Sequence, residues 1–162
     1  MRKLIILLSL NFVLLTIAGQ SVKISYNDLN YFKDTIDFEL KDGLQDGTYK
    51  AYFDKDDKNL AFEGEIKSQM KVGTWKWYYE SGNKKREASY SGGIIDGEET
   101  YYYDNGQKCV SMSYTFGKIN NSSTGWYLNG NKQFEGTYSN GLPVGAWRFY
   151  NEDGTIYREE EY

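Results

Sequence analysis

Short runs that alternate aromatic and polar residues, separated by polar turns containing glycine, fill most of this chain. The stretch 73–79 reads Gly-Thr-Trp-Lys-Trp-Tyr-Tyr, a pattern typical of a β-strand. Asn-Gly or Asp-Gly between two such runs predicts a hairpin, because both residues tolerate positive φ. We therefore predict an outgoing strand at 73–79, a turn at 80–83 and a returning strand at 84–90. Residues 91–97 then lead into the next unit.

The unit recurs every 24 residues, as three columns of identical residues show. Gly82, Gly106, Gly130 and Gly154 form one column, Gly93, Gly117 and Gly141 a second, and Tyr90, Tyr114, Tyr138 and Tyr162 a third. A fixed period in this range is the signature of a repeat architecture. Since an isolated hairpin is only marginally stable, neighbouring hairpins are expected to pair edge to edge. The predicted fold is all-β: an elongated, single-layer antiparallel sheet of stacked β-hairpins.

We assign residues 43–162 to a repeat domain of about five hairpins. The first unit is two residues longer than the others, since Gly47 and Gly73 are 26 residues apart. The fourth unit departs further, because Asn121 stands where the glycine column expects glycine and the outgoing strand 125–128 is short. We therefore expect an irregular fourth hairpin.

The first 20 residues have a different character. Arg2 and Lys3 precede an apolar stretch, and the small residues Ala18 and Gly19 follow it. This order predicts a signal peptide at 1–20, and hence export to the periplasm or the medium without stable membrane insertion after cleavage. An uncleaved membrane anchor is the alternative. Residues 21–42 are predicted to be a capping segment over the first hairpin, because terminal repeats need a cap.

Composition argues against several classes of function. The 19 basic and 23 acidic residues leave a net charge of −4, which disfavours nucleic acid as a partner. Histidine is absent and cysteine occurs once, which removes Ser-His-Asp and Cys-His catalysis and the usual zinc sites. The glycines lie in hairpin turns and do not open a helix, so they form no phosphate-binding loop. We predict a protein that is not an enzyme and binds neither cofactor nor metal.

The candidate binding site consists of the aromatic columns. Adjacent strand positions point to opposite faces of a sheet, so columns one residue apart lie on different faces. The candidate interaction surface is the column Tyr52, Tyr78, Tyr102, Trp126 and Tyr150, and the alternative face carries Tyr49, Trp75, Trp77, Tyr101, Trp147 and Phe149. One face is expected to pack. An exposed Tyr and Trp surface favours a protein partner, whose identity the sequence does not give.

The order Gly73-x-Trp-x-x-Tyr-Tyr-x-x-Gly82, followed by Tyr90 and Gly93-x-x-x-Gly97, resembles the bacterial MORN repeat variant of YwqK-like proteins, which are labelled as antitoxins. The resemblance covers 43–162 and implies a row of hairpins with an interaction or scaffolding role. An antitoxin or immunity-type function is one alternative, although export separates the protein from a cytoplasmic toxin.

A second resemblance concerns Trp77-Tyr78-Tyr79 and the stretch 124–130, which are similar to the aromatic hairpins of choline-binding cell-wall repeats. Such repeats hold a quaternary ammonium group in an aromatic cage. A binder of envelope glycan or of choline-like groups is therefore a further alternative. The constant 24-residue spacing favours the MORN-type interpretation.

Overall fold

The computed structural model describes residues 22–23, 45–53 and 58–162. Their strands form one eleven-stranded sheet in chain order. The strands are β1 (Val22–Lys23), β2 (Gly47–Tyr52), β3 (Leu60–Lys67), β4 (Met70–Tyr78), β5 (Lys84–Ser91), β6 (Ile94–Tyr102), β7 (Lys108–Thr115), β8 (Lys118–Trp126), β9 (Lys132–Ser139), β10 (Leu142–Tyr150) and β11 (Ile156–Glu161).

Strands β2 to β11 pair antiparallel with their neighbours, whereas β1 runs parallel to β2. At about 4.8 Å per strand the sheet extends for about 50 Å. The predicted all-β, single-layer sheet of stacked hairpins is confirmed. The predicted signal peptide at 1–20 lies outside the described residues, and β1 is the only part of the 21–42 segment within them.

Two kinds of turn alternate along the sheet. In the long turn after β4, Tyr79 N–H donates to the Asn83 carbonyl at 2.8 Å, and a turn of the same form follows β6, β8 and β10. Between β5 and β6 the turn is tight, and only Gly92 and Gly93 separate the paired residues Ser91 and Ile94. Both of these glycines have positive φ, 56° and 86°. The prediction that 91–97 is a linking segment was therefore wrong, because β6 already begins at Ile94.

A residue with positive φ lets each outgoing strand run on through the segment that was predicted to be a link. At this point β6 has two residues more than its partner β5, since Tyr90 pairs with Ile95 but Ala88 pairs with Glu99. The positive-φ residue is Gly97 in β6, and the same position in β8 is Asn121, with φ of 68°. Asparagine is among the few other residues that adopt this conformation readily. The expectation of an irregular fourth hairpin was wrong: β8 has nine residues, like β4, β6 and β10.

The register gives the sheet two chemically different faces. Directly paired residues share a face, and one continuous row runs Ala51, Phe62, Trp77, Arg86, Tyr101, Val110, Gly125, Phe134, Phe149 and Arg158. We call this side the packed face. On the opposite side, the charged face, a row runs Lys50, Glu63, Lys76, Glu87, Thr100, Ser111, Thr124, Glu135, Arg148 and Glu159.

Large rings on the packed face lie against glycines of the neighbouring strand. Trp75 is fully buried, and a Cβ on Gly64 would lie 2.0 Å from its ring. Three repeats later Trp147 has the same relation to Gly136, where the distance would be 2.1 Å. Both indoles donate to a backbone carbonyl, Trp75 to Glu65 at 3.1 Å and Trp147 to Thr137 at 3.2 Å. The missing side chain is thus what allows each indole to lie flat on the sheet.

We expect Gly64→Ala and Gly136→Ala each to lower the free energy of unfolding by about 1–3 kcal/mol, because the new methyl group overpacks the site. Urea denaturation measures the effect, and Ser91→Ala, at an exposed strand position, is the control. Full retention of stability in both glycine variants would show that the rings do not depend on this contact.

Candidate functional site

The column that the sequence singled out first lies on the charged face beside the long turns. All five residues, Tyr52, Tyr78, Tyr102, Trp126 and Tyr150, are half-buried. Because they lie two strands apart, their Cα atoms are separated by about 10 Å. The rings therefore form a row, and lysines of the intervening strands lie between them: Lys84 pairs with Tyr78, Lys108 with Tyr102 and Lys132 with Trp126.

These lysines already occupy ring faces in the column. The Lys84 ammonium lies 5.2 Å from the centre of the Tyr102 ring, and that of Lys108 lies 5.8 Å from the Trp126 ring. Such distances are typical of cation–π contacts. The rings therefore stabilise the sheet from within, and an external cation has to displace a lysine to reach them.

Hydroxyl groups in the same column bind carboxylates of the charged row. Tyr78 donates to Glu63 at 2.8 Å and Tyr150 donates to Glu135 at 2.5 Å. Hydrogen bonds from Lys132 and Tyr150 lower the pKa of Glu135, and the bond to Glu135 raises the pKa of Tyr150. The tyrosine hydroxyls, carboxylates and lysines described here thus satisfy one another through ion pairs and hydrogen bonds.

The alternative aromatic set lies on the packed face and divides into two parts. Tyr49, Trp75 and Trp77 are buried in one cluster with Phe62 and Tyr90. Neighbouring ring centres in this cluster lie 6.0 to 6.4 Å apart. Lys71 is also buried, with its ammonium 5.1 Å from the centre of the Tyr90 ring. These aromatics form a core and are not an accessible binding surface.

A buried ion pair adjoins this cluster. Arg86 and Glu99 are both buried, and their side chains meet at 2.5 Å. The Arg86 guanidinium also lies 4.3 Å from the Trp77 ring, and the Tyr101 hydroxyl donates to Glu99 at 3.1 Å. Burial acts against the charged form of Arg86, but the Glu99 carboxylate together with Tyr90 and Tyr101 outweighs it, and the pKa of Arg86 is raised.

The repeat pattern shows what this ion pair replaces. Phe62 and Trp75, like Phe134 and Trp147, are 13 residues apart, as are Arg86 and Glu99. In the two aromatic cases the rings lie 6.0 and 6.2 Å apart. The contact between the second and third hairpins therefore carries an ion pair, where the contacts between the first and second and between the fourth and fifth hairpins carry an aromatic pair.

The packed face opens towards its C-terminal end. There Trp147 is surrounded by four rings at 5.0 to 6.3 Å, those of Phe134, Tyr138, Phe149 and Tyr162. The exposure of the side chains increases along the 24-residue tyrosine column: Tyr90 is 6% exposed, Tyr114 and Tyr138 are half-buried, and Tyr162 is 56% exposed. We call Phe134, Tyr138, Trp147, Phe149 and Tyr162 the C-terminal aromatic cluster. Of the predicted alternative face, Trp147 is buried at the centre of this cluster with 6% of its surface exposed, whereas Phe149 beside it is half-buried.

Sequence reasoning did not assign the other three residues of this cluster to a site, nor did it find Arg86 and Glu99. Tyr138 and Tyr162 were visible as members of the 24-residue tyrosine column. Arg86 lies in the run Lys84-Lys85-Arg86-Glu87, which looks like a solvent-exposed strand. The only available signal was its position in the column of Phe62 and Phe134.

A third tyrosine column joins successive hairpins. Tyr79 donates its hydroxyl proton to the Tyr102 carbonyl, Tyr103 to that of Trp126, and Tyr127 to that of Tyr150, at 2.7 to 2.8 Å. Each bond spans 23 residues and links one long turn to the next hairpin. Phe53 holds the same position in the first unit and has no hydroxyl to donate.

Within the described residues, no group of three or more His, Cys, Asp or Glu side chains is arranged to hold a metal ion. The same part of the chain contains no helix long and apolar enough to span a membrane. Cys109 is a free, half-buried thiol on β7.

The family described as MORN repeat variant matches the chain at residues 71–91, 95–116 and 143–162. These segments coincide with the hairpins β4–β5, β6–β7 and β10–β11, while the hairpins β2–β3 and β8–β9 lie outside them. The resemblance to MORN repeats is thereby confirmed at the level of the repeat. Repeats of this kind commonly mediate interactions with proteins or ligands. No curated protein matches the chain.

We expect Tyr103→Phe and Tyr127→Phe each to lower the free energy of unfolding by about 0.5–1.5 kcal/mol, the usual net value of one hydrogen bond. Thermal and urea unfolding measure the change. Tyr157→Phe is the matched control, because Tyr157 is exposed on β11. Equal stability of all three variants would mean that the hydroxyls do not join the hairpins.

Removing one member of the ion pair is expected to be costly. Glu99→Leu leaves the Arg86 charge buried without its carboxylate and should destabilise by about 3–5 kcal/mol. The double variant Arg86→Met/Glu99→Leu should recover most of this loss, because well-packed apolar residues often replace a buried pair at little cost. Urea midpoints of the two single variants and the double variant provide the comparison. Additive losses would contradict a coupled pair.

Proposed function

We propose that this protein is a non-enzymatic repeat scaffold that binds a partner protein through the C-terminal aromatic cluster. Three MORN-type repeats and the sheet that contains them support an interaction role. One observation carries the choice of surface: the tyrosine column is buried at Tyr90 and exposed at Tyr162. Aromatic residues that are half-buried in the free protein are typical anchors of protein interfaces.

Charge defines the partner further. The whole chain has a net charge of −4. On β11, Glu160 pairs with Trp147 and so shares the packed face with the cluster, whereas Glu159 pairs with Arg148 on the charged face. Arg158 lies 4.0 Å from the Phe149 ring and adds one positive charge at this edge. We propose a partner segment that presents apolar anchors to the rings and has lysine or arginine beside them, because complementary charge favours association.

The weaker candidate for the binding surface is the charged-face column of Tyr52, Tyr78, Tyr102, Trp126 and Tyr150. Its tyrosine hydroxyls bind Glu63 and Glu135, and its rings contact Lys84 and Lys108. A choline-like ligand would have to displace those lysines. The charged-face column nevertheless supplies a test of the alternative, since its variants should affect binding of an envelope ligand.

Two further points belong to the same proposal. The charged n-region, apolar stretch and small residues of 1–20 support export. The motif at 73–97 supports placement among YwqK-like proteins, although the antitoxin function attached to that label fits an exported protein poorly. A periplasmic or secreted partner is therefore the one to seek.

The test is affinity capture from the envelope fraction with the immobilised full chain. Phe149→Ala/Tyr162→Ala changes the cluster, and Tyr102→Ala/Trp126→Ala is the opposite-face control. Truncating an anchor costs about 2 kcal/mol or more, so the Kd for the captured protein, once purified, should rise about 30-fold in the cluster variant. The control variant should bind like the wild type.

Circular dichroism melts must show that both variants fold. Loss of binding only in the charged-face variant would move the site to the column of Tyr102 and Trp126. Equal binding by all three proteins, or no captured partner with any of them, would contradict the proposal. Tryptophan fluorescence titrations with soluble wall fragments and with choline test the ligand-binding alternative separately.

A further inference from the structure

The strand β11 has a neighbour on one side only. Within the described residues β10 flanks it and no strand lies beyond it, whereas β3, β5, β7 and β9 each pair with two strands. Tyr162 exchanges both backbone hydrogen bonds with Gly145, at 2.9 and 3.1 Å. Since successive residues of a strand direct their backbone groups to alternate sides, those of Glu159 and Glu161 point away from β10. This edge therefore offers N–H and C=O groups to a further strand.

The repeat shows what such an edge accepts elsewhere in the sheet. Arg86 on β5 and Arg158 on β11 are three 24-residue repeats apart. The Arg86 guanidinium lies between two rings, 4.3 Å from that of Trp77 on β4 and 5.5 Å from that of Tyr101 on β6. Arg158 lies 4.0 Å from the ring of Phe149, which corresponds to Trp77. The position that corresponds to Tyr101 belongs to a strand beyond β11, where an aromatic ring would complete the same arrangement.

The glutamate next to this arginine has an equally informative counterpart on the charged face. Glu135 lies one repeat before Glu159. It pairs with Arg148 of the following strand β10 and accepts a hydrogen bond from Tyr150 of that strand at 2.5 Å. The same two relations recur between β3 and β4, where the residues are Glu63, Lys76 and Tyr78. A strand beside β11 should therefore meet Glu159 with a basic residue and a tyrosine.

We propose that β11 binds an extended segment of the partner protein as a twelfth, antiparallel strand, and that this segment contains Lys or Arg, then an aromatic residue, then tyrosine. This is the order of Lys76-Trp77-Tyr78 in β4 and of Arg148-Phe149-Tyr150 in β10. The inference rests on the proposed function, since it gives the binding mode and the sequence of the partner at the same end of the sheet. In strand addition the backbone supplies affinity and alternate side chains supply specificity.

Charge distinguishes this partner from a second copy of the chain. Two β11 strands paired antiparallel about a two-fold axis would place their central residue opposite itself. Arg158, Glu159, Glu160 and Glu161 all carry a charge, so each register centred on one of them joins like charges, which is destabilising. The glutamates thus protect the edge against self-pairing, whereas a basic segment meets no such repulsion from them.

Fluorescence anisotropy with the purified full chain and a fluorescein-labelled peptide tests the proposal. The peptide copies residues 141–151, which contain the basic, aromatic and tyrosine order, and carries Trp147→Lys so that a lysine faces Glu160. The matched control peptide exchanges Arg148 and Phe149, which keeps composition and net charge but puts each side chain on the wrong face. We expect saturable binding of the first peptide. The Kd of the second should be about tenfold higher, because a cation–π contact and an ion pair are lost.

Modification of the backbone shows whether the peptide pairs as a strand. In the proposed register the peptide's Arg148 N–H donates to the Glu159 carbonyl, whereas its Phe149 N–H points away. N-methylation at Arg148 should therefore raise the Kd about tenfold, and N-methylation at Phe149 should leave it unchanged.

Variants of the protein give the complementary measurement. Glu159→Ala removes the carboxylate and should weaken binding about threefold. Glu159→Pro also removes the outward N–H, which β10 does not use, and should weaken binding about 30-fold. Circular dichroism melts check that both variants fold, and the two N-methylated peptides address the same hydrogen bonds without changing the protein.

Three outcomes would overturn the proposal. The first is no binding, or equal binding of the two peptides; envelope capture with the cluster variant then decides the proposed function by itself. The second is binding that ignores N-methylation and Glu159→Pro but is lost in Phe149→Ala/Tyr162→Ala, which keeps the proposed function and removes strand addition. The third is a wild-type dimer in analytical ultracentrifugation that Glu159→Pro converts to a monomer, since a second copy would then occupy the edge.

Discussion

The close approach of an indole ring to a bare backbone is the contact on which this sheet depends. A single layer has no second layer to pack against, so its apolar area must be buried among the side chains of one face. Trp75 achieves this by lying across Gly64, and Trp147 by lying across Gly136. An aromatic side chain buries about 150–250 Å², a larger area than a small aliphatic side chain can bury. Few such residues, placed beside glycines, therefore replace the thick aliphatic core of a two-layer protein.

Between these two tryptophans the packed face changes its chemistry. The ion pair of Arg86 and Glu99 stands where other units have rings, and it separates the N-terminal core from the more open C-terminal cluster. A buried pair adds little net stability but is strongly directional. The ion pair thus fixes the position of β5 relative to β6. The tyrosine hydroxyls of the long turns join one hairpin to the next.

Much of the fold followed from the sequence because turns and columns are local properties. Asn-Gly pairs and the 24-residue spacing are enough to place the long turns and the strand faces. The burial of a side chain depends on what covers its face of the sheet, and the residues next to it in the sequence do not determine that cover. Arg86 illustrates the difference, since its flanking lysines and glutamate suggest solvent. The prediction of an irregular hairpin at Asn121 failed for another reason. Asn121 adopts the positive-φ conformation of the glycine it replaces, so the change of residue left the backbone unchanged.

The strand order has a mechanical consequence. Each strand lies beside its neighbours in the chain, so stability resides in nearest-neighbour interfaces, as in other solenoids. Those interfaces are unequal, with the buried cluster towards one end and the exposed strand β11 at the other. Local opening is therefore expected to start at β11 and proceed inwards one hairpin at a time, up to the interface that contains Arg86 and Glu99. A partner bound at the C-terminal end would act as a clamp on the part of the sheet that opens first.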